Sequence, residues 1–230
     1  MDHVFEKLER IVVFRFSVFG QDIEIGNTIL VTWIIMAILI VGSLLLTRKL
    51  SSDRPGKAQV LAEWLVQTVR NLCKDNIGHH SAGFVPYLGT LLLFLAVSNI
   101  ITLFNFIPGL HLYPPTKDIN VTGALALMSI VIVFYASFRY KGVVGWLKSL
   151  AEPIPVMVPF KLMEYATKPL SLCLRLFGNV LACFIIMELI MEAFPPAGGP
   201  LALYFDIFDG LLQAFIFVFL TTLYIGEAVE

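Results

Sequence analysis

The stretch KPLSLCLRLFGNVLACFIIM, residues 168–187, decides how this chain is read. Arg175 stands in the middle of a long apolar run, more than two helical turns from any carboxylate in the sequence. A guanidinium at bilayer depth costs about 2.5 kcal/mol or more, so an ionisable residue placed there is a functional-site hypothesis by default. Snorkelling toward a membrane surface is the ordinary alternative, and the central position of Arg175 in its run argues against it.

On a helical wheel centred on Arg175, Glu164, Lys168, Ser171 and Asn179 fall within about 40° of it. One face of an otherwise apolar helix therefore carries a polar stripe. Glu188 falls almost opposite, beside Phe184, and Glu192 follows a turn further out. The next apolar segment carries Asp206, Asp209, Gln213, Tyr224 and Glu227 on one stripe. Glu188, Glu192, Asp206 and Asp209 then converge near one membrane surface, where they would form a hydrated vestibule that attracts protons or cations. Gln213 lies farther in, within reach of the other helix.

Working outward, the remaining chain is that of a polytopic membrane protein. Of its 230 residues, 58% are hydrophobic and only 14% charged, against about a quarter charged in a soluble domain. The net charge of −1 gives no sign of nucleic-acid binding. Cys73, Cys173 and Cys183 have no metal-ligand spacing and read as small packing residues. The His79–His80 pair has no further ligands at useful spacing, so no metal or cofactor is expected.

Five apolar spans are expected, at about 29–46, 84–106, 123–140, 159–194 and 201–227. Residues 1–28 form an N-terminal outer-side segment and 29–230 a single membrane domain. No basic start leads into an apolar run, so the first span is expected to stay in the mature protein. AQVLAEWLVQTVRNLCKDNI, residues 58–77, is amphipathic and too polar to span, and FRYKGVVGWLKSLAEPIPVM, residues 138–157, is too broken; both are placed at the interface. The fourth span would run roughly 50 Å as a helix and the fifth about 40 Å, against an apolar core of about 30 Å. Both must tilt, bend or leave the membrane at one end. Joined by the turn PPAGGP, residues 195–200, they form a steeply tilted hairpin with a long oblique face. The fold class is thus all-α, with about five transmembrane helices plus interfacial amphipathic helices.

Basic residues set the orientation. Arg48, Lys49, Arg54, Lys57, Arg70 and Lys74 lie between spans one and two, while only Lys117 lies between spans two and three. Arg139, Lys141, Lys148, Lys161 and Lys168 follow span three, and the turn at 195–200 has none. The N-terminus is therefore expected outside and the C-terminus in the cytoplasm.

KPLSLCLRLFGNVLA together with LLQAFIFVFLTTLYIGEA, residues 211–228, resembles subunit a of F-type ATP synthases, and DINVTGALAL, residues 118–127, resembles the same family after span two. The resemblance runs from span one to the end of the chain. It implies a non-catalytic stator subunit that packs against a rotating ring of c subunits, alongside peripheral-stalk b subunits, the other synthase subunits and membrane lipids, with no nucleic acid. It implies two offset aqueous half-channels reaching the ring carboxylates, with Arg175 at the family's essential arginine. Such a charge favours the ionised carboxylate, so a protonated site facing it gives up its proton. It also repels cations and so separates the half-channels. Asn179 and Gln213 match positions beside that arginine; Lys168 and Ser171 match polar positions toward the inner half-channel.

Many relatives carry Glu or His nine residues after the arginine, where this chain has Phe184. Glu188, one turn on, is the expected substitute. Asp206 matches a position seven before the glutamine that is often His or Glu. The outer half-channel is therefore expected at Glu188 and Asp206, with Asp118, Asn120, Glu192 and Asp209 as candidates for its mouth. Departure from the mitochondrial residues at these positions points to a bacterial inner membrane.

Simpler readings stand beside these. Lys168 sits four residues from Glu164, so an intrahelical ion pair competes with a channel role. Asn179 and Gln213 are also the kind of residue that hydrogen-bonds between membrane helices. Glu192 and Asp209 are also read as solvated interface residues, and Asp118 and Asn120, beside Pro114 and Pro115, as turn formers. The competing function is a secondary transporter using Arg175 to bind an anionic substrate. Repeats or broken helices would favour it, and the sequence displays neither.

Overall fold

The computed structural model describes residues 12–18, 21–48, 56–102, 114–151 and 158–229. Strands β1 (Val12–Val18) and β2 (Gln21–Gly26) pair antiparallel before the membrane domain. This hairpin adds strand to the expected outer-side segment. From Asn27 onward every described regular element is helical. Four helices are long and apolar enough to cross a membrane, or five if one sharply bent pair counts as a span. From Asn27 onward the chain is an all-α polytopic membrane protein.

Helix α1 (Asn27–Thr47) is 21 residues long, about 31 Å, which matches the apolar core of a bilayer. Only Val31 and Ile35, one turn apart, are buried, against Ile101. Leu39 packs partly against them and most of the remaining apolar surface is exposed, as a peripheral span requires. Helix α2 (Lys57–Ile77) buries Val69, Cys73 and Ile77 on one stripe and leaves its polar face out. It ends at Gly78, whose φ of 69° is cheap only for glycine. A 3₁₀ turn (Gly78–Gly83) leads into α3 (Val85–Ile100), bent by 118° from α2. An interfacial amphipathic helix followed by a crossing helix has this form. The expected end of that span, residues 103–106, lies outside the described residues.

Helix α4 (Ile119–Ala151) is broken at Gly142, where φ is 72°. The break separates the apolar crossing part from the polar stretch expected at the interface. Phe134, Trp146 and Tyr165 stack across it, with Trp146 Nε1 donating to Tyr165 Oη at 3.3 Å. These rings hold α4 to α5 (Val158–Ala193), an uninterrupted helix of 36 residues, about 54 Å long. Pro169 sits inside it without ending it.

The hairpin turn corrects one expectation. The stretch PPAGGP is not an irregular turn but opens helix α6 (Pro195–Leu203). The reversal is confined to Phe194, with φ −147° and ψ 79°. Prolines at the first two helical positions explain this, since the N–H groups they lack would be unpaired there anyway. The last span therefore starts earlier than residue 201. A π-helical turn (Tyr204–Asp209) links α6 to α7 (Gly210–Val229).

Helix α7 is the centre of the bundle. Ala214, Phe217, Val218 and Ile225 pack with Leu88 and Leu95 of α3, Ala126 and Val133 of α4, and Leu172 and Leu176 of α5. Thr221 and Thr222 are buried there too, and each donates to its own helix carbonyl, at 2.9 and 2.7 Å. Gly226 is required by the close approach of α2, because a Cβ would lie 2.3 Å from the Asn76 carbonyl oxygen.

Candidate functional site

Two surfaces of α5 matter. On the outward one, Ser171, Leu174, Arg175, Gly178 and Ala182 are exposed at helical spacing. Among the described residues no carboxylate pairs with Arg175 and no hydrogen bond holds it. The guanidinium thus shares an exposed face with Ser171, Leu174, Gly178 and Ala182, and nothing lies within 4 Å of the position of a Gly178 Cβ.

On the other side, α5, the end of α3, the 3₁₀ turn Pro115–Lys117, the π turn and the start of α7 enclose a cavity of about 300 Å³. Glu188, Asp206, Asp209, Asn179, Lys117 and Gln213 all line it. Asn179 Nδ2 donates to Asp209 Oδ2 at 2.7 Å, and Cys183 Sγ donates to the same oxygen at 3.3 Å. Thr102 Oγ1 donates to the Asn99 carbonyl at 2.7 Å, and Thr102 and Asp206 line the same cavity. Gln213 is only 4% exposed, and its Nε2 has no hydrogen-bond partner among the described residues. A buried donor left dry would cost about 1–3 kcal/mol, so water belongs beside it.

The cavity is braced by contacts that fix its floor. Asn99, buried on α3, donates to the Gly210 carbonyl at 2.8 Å and accepts from Thr116 Oγ1 at 3.0 Å. Gly210 permits this approach: a Cβ there would lie 2.8 Å from the Asn99 Cβ. Lys117 Nζ lies 3.5 Å above the Phe184 ring, a cation–π contact that places a positive charge beside the carboxylates.

The other residues singled out from the sequence lie elsewhere. Lys168 bonds Glu164 at 2.8 Å and Glu227 at 2.5 Å, joining α5 to α7 at the far end of the hairpin. Its ammonium also sits 5.0 Å from the Tyr224 ring centroid. Ser171 is exposed on the Arg175 face. Asp118 Oδ1 accepts from the Asn120 N–H at 2.9 Å, and its carbonyl accepts from Val121 and Thr122, which opens α4. Asn120 is exposed, as is Glu192, which is outside the cavity lining. Asp209, by contrast, is half-buried and tied to Asn179 rather than placed at the outer rim. His79 and His80 are exposed, with His80 stacked on Tyr140, and no cluster able to hold a metal ion occurs among the described residues.

Sequence reading did not single out Lys117, Thr102, Cys183 or Asn99 as site residues. Lys117 and Thr102 reach the cavity through tertiary packing, which periodicity does not encode. Asn99 carried a usable signal, a polar residue near the end of an apolar span.

The description ATP synthase A chain belongs to a family model that matches residues 29–226, nearly the whole membrane domain. The chain therefore belongs to the ATP synthase A chain family, membrane-sector subunits of ATP synthase involved in ion translocation.

Proposed function

We propose that this chain is the ion-translocating stator subunit of an F-type ATP synthase, with Arg175 as the charge that separates two half-channels. The observation that carries the reading is the placement of Arg175 relative to the cavity. Among the described residues the arginine has no ion-pair partner; it is outward on α5, and one turn along the same helix Asn179 belongs to a cavity lined by three carboxylates. An unpaired guanidinium at bilayer depth is stable only if a partner brings it a counter-charge, and a passing ring carboxylate does so. The cavity is the outer half-channel, entered past Glu188 and Asp206. Ser171 and Lys168, on the Arg175 side of α5, face the inner path, and Asp118 and Asn120 shape the loop near the outer mouth.

In this reading the subunit performs no covalent chemistry. It sits in a bacterial inner membrane with its N-terminus outside and its C-terminus in the cytoplasm, beside a c ring and peripheral-stalk b subunits. The secondary-transporter reading has less support, because Arg175 lies on an open surface and not in the cavity.

The test is a double variant, Glu188→Gln with Asp206→Asn, in membranes holding the whole complex. ATP-driven ion pumping should fall sharply while the assembled complex is retained. Undiminished coupled flow would remove the outer half-channel from this cavity.

A further inference from the structure

We infer that Asp209 is the innermost proton-relay carboxylate of the cavity, the group that hands protons toward the Arg175 level. The inference rests on the half-channel reading above and adds both a residue and the identity of the ion. Along α5, Asn179 lies about 6 Å beyond Arg175 and Glu188 about 20 Å beyond it, at 1.5 Å per residue. Asp209 is bonded to Asn179, so it occupies the inner level. Asp206, three residues earlier on the π turn, lies further out, and Glu188 is outermost. The three carboxylates thus form a graded series and not a cluster at one depth.

The surroundings of Asp209 fit a proton and not a metal cation. Hard cations such as sodium take shells of oxygen ligands. Asp209 Oδ2 instead receives an amide N–H from Asn179 and a thiol S–H from Cys183, two donors that would oppose a cation at that oxygen. Gln213, one turn further along α7, is buried, lines the same cavity and keeps an unused Nε2 donor. That donor calls for a water oxygen at the inner end. At about 30 Å³ per water, the cavity volume accommodates a short chain of waters. Among the described residues, the titratable and charged groups that line the cavity with Asp209 are Cys183 and Glu188 on α5, Lys117 on the 3₁₀ turn and Asp206 on the π turn; α3 and the residues just after it contribute the neutral Asn99 and Thr102.

The step balances without a co-reactant. The Asp209 carboxylate takes one proton from hydrated protons on the Asp206 side, leaving water. It then releases one proton to water on the Asn179–Gln213 side and returns to the carboxylate. The π turn supports this use, because such turns re-aim side chains within a helix and recur at functional sites.

The experiment uses inverted membrane vesicles carrying the whole complex, with Asp209→Asn, Asp209→Glu and Arg175→Ala compared with wild type at several pH values. Asp209→Asn keeps the shape and one acceptor oxygen but carries no proton. Its ATP-driven pumping should fall by about tenfold or more with the complex assembled. Formate or acetate, small weak acids able to enter the cavity, should restore part of it, which a structural defect would not allow. Asp209→Glu should pump, with its pH profile displaced, and wild-type pumping should not depend on sodium. Pumping by Asp209→Asn within about twofold of wild type, or a loss that no weak acid restores, overturns the relay, judged against relay contributions of about a hundredfold. If Asp209→Asn does not assemble, the Asp209→Glu profile decides: displacement supports the relay and an unchanged profile overturns it. Normal pumping by Arg175→Ala would instead overturn the half-channel reading itself.

Discussion

Gly210 shows how a single missing side chain positions the site. It lies where α7 begins, its carbonyl accepts from Asn99, and a Cβ would come within 2.8 Å of the Asn99 Cβ. Asn99 in turn accepts from Thr116, so one contact registers α3, α7 and the 3₁₀ turn before α4. Replacing Gly210 with alanine must push α3 from α7, because neither Cβ can rotate away. Gly210→Ala is expected to destabilise the subunit by about 1–3 kcal/mol, as overpacking in a tight core does. Thermal dissociation of the purified complex should begin at lower temperature than in wild type, and an unchanged profile would mean the helices yield freely. Arg175 is the opposite case. It touches no counter-charge among the described residues.

Helices were largely legible from periodicity, and their junctions were not. The apolar spans appear because a bilayer demands long runs whose backbone bonds are satisfied internally. The stripes Val69–Cys73–Ile77 on α2 and Leu172–Leu176 on α5 are the same signal at finer grain. Residues 195–200 misled the reading because proline and glycine usually punctuate, yet Pro195 and Pro196 occupy the first turn of α6, where proline is favoured. The π turn at Tyr204–Asp209 had no sequence signature. It runs directly into Gly210, which packs against Asn99, a tertiary contact that periodicity does not encode. The carboxylate cavity was half legible for the same reason. Helical wheels brought Glu188, Asp206 and Asp209 to one region, but only the packed structure adds Lys117 over Phe184 and the bond from Asn179 to Asp209.

The whole molecule presents a carboxylate-lined cavity on one side of α5 and an outward arginine on another, and the proposed function needs a ring on that outward side. Gly178 tests the surface without disturbing the fold. Nothing lies within 4 Å of where its Cβ would stand, and leucine is the better helix former. Gly178→Leu should therefore leave the isolated subunit at least as stable while pumping by the complex drops well below wild type, because the added side chain meets the ring. Full pumping would show that this face touches no moving partner. The most direct measurement is made on inverted vesicles bearing the complex with Arg175→Ala, recording ATP-driven pumping and passive leak under an imposed gradient. Lost pumping with a leak equal to or above wild type is the expected result, since the same charge drives release and blocks direct passage between the half-channels. Normal pumping with normal leak would contradict the account, leaving Arg175 as a structural residue and the cavity without a gate.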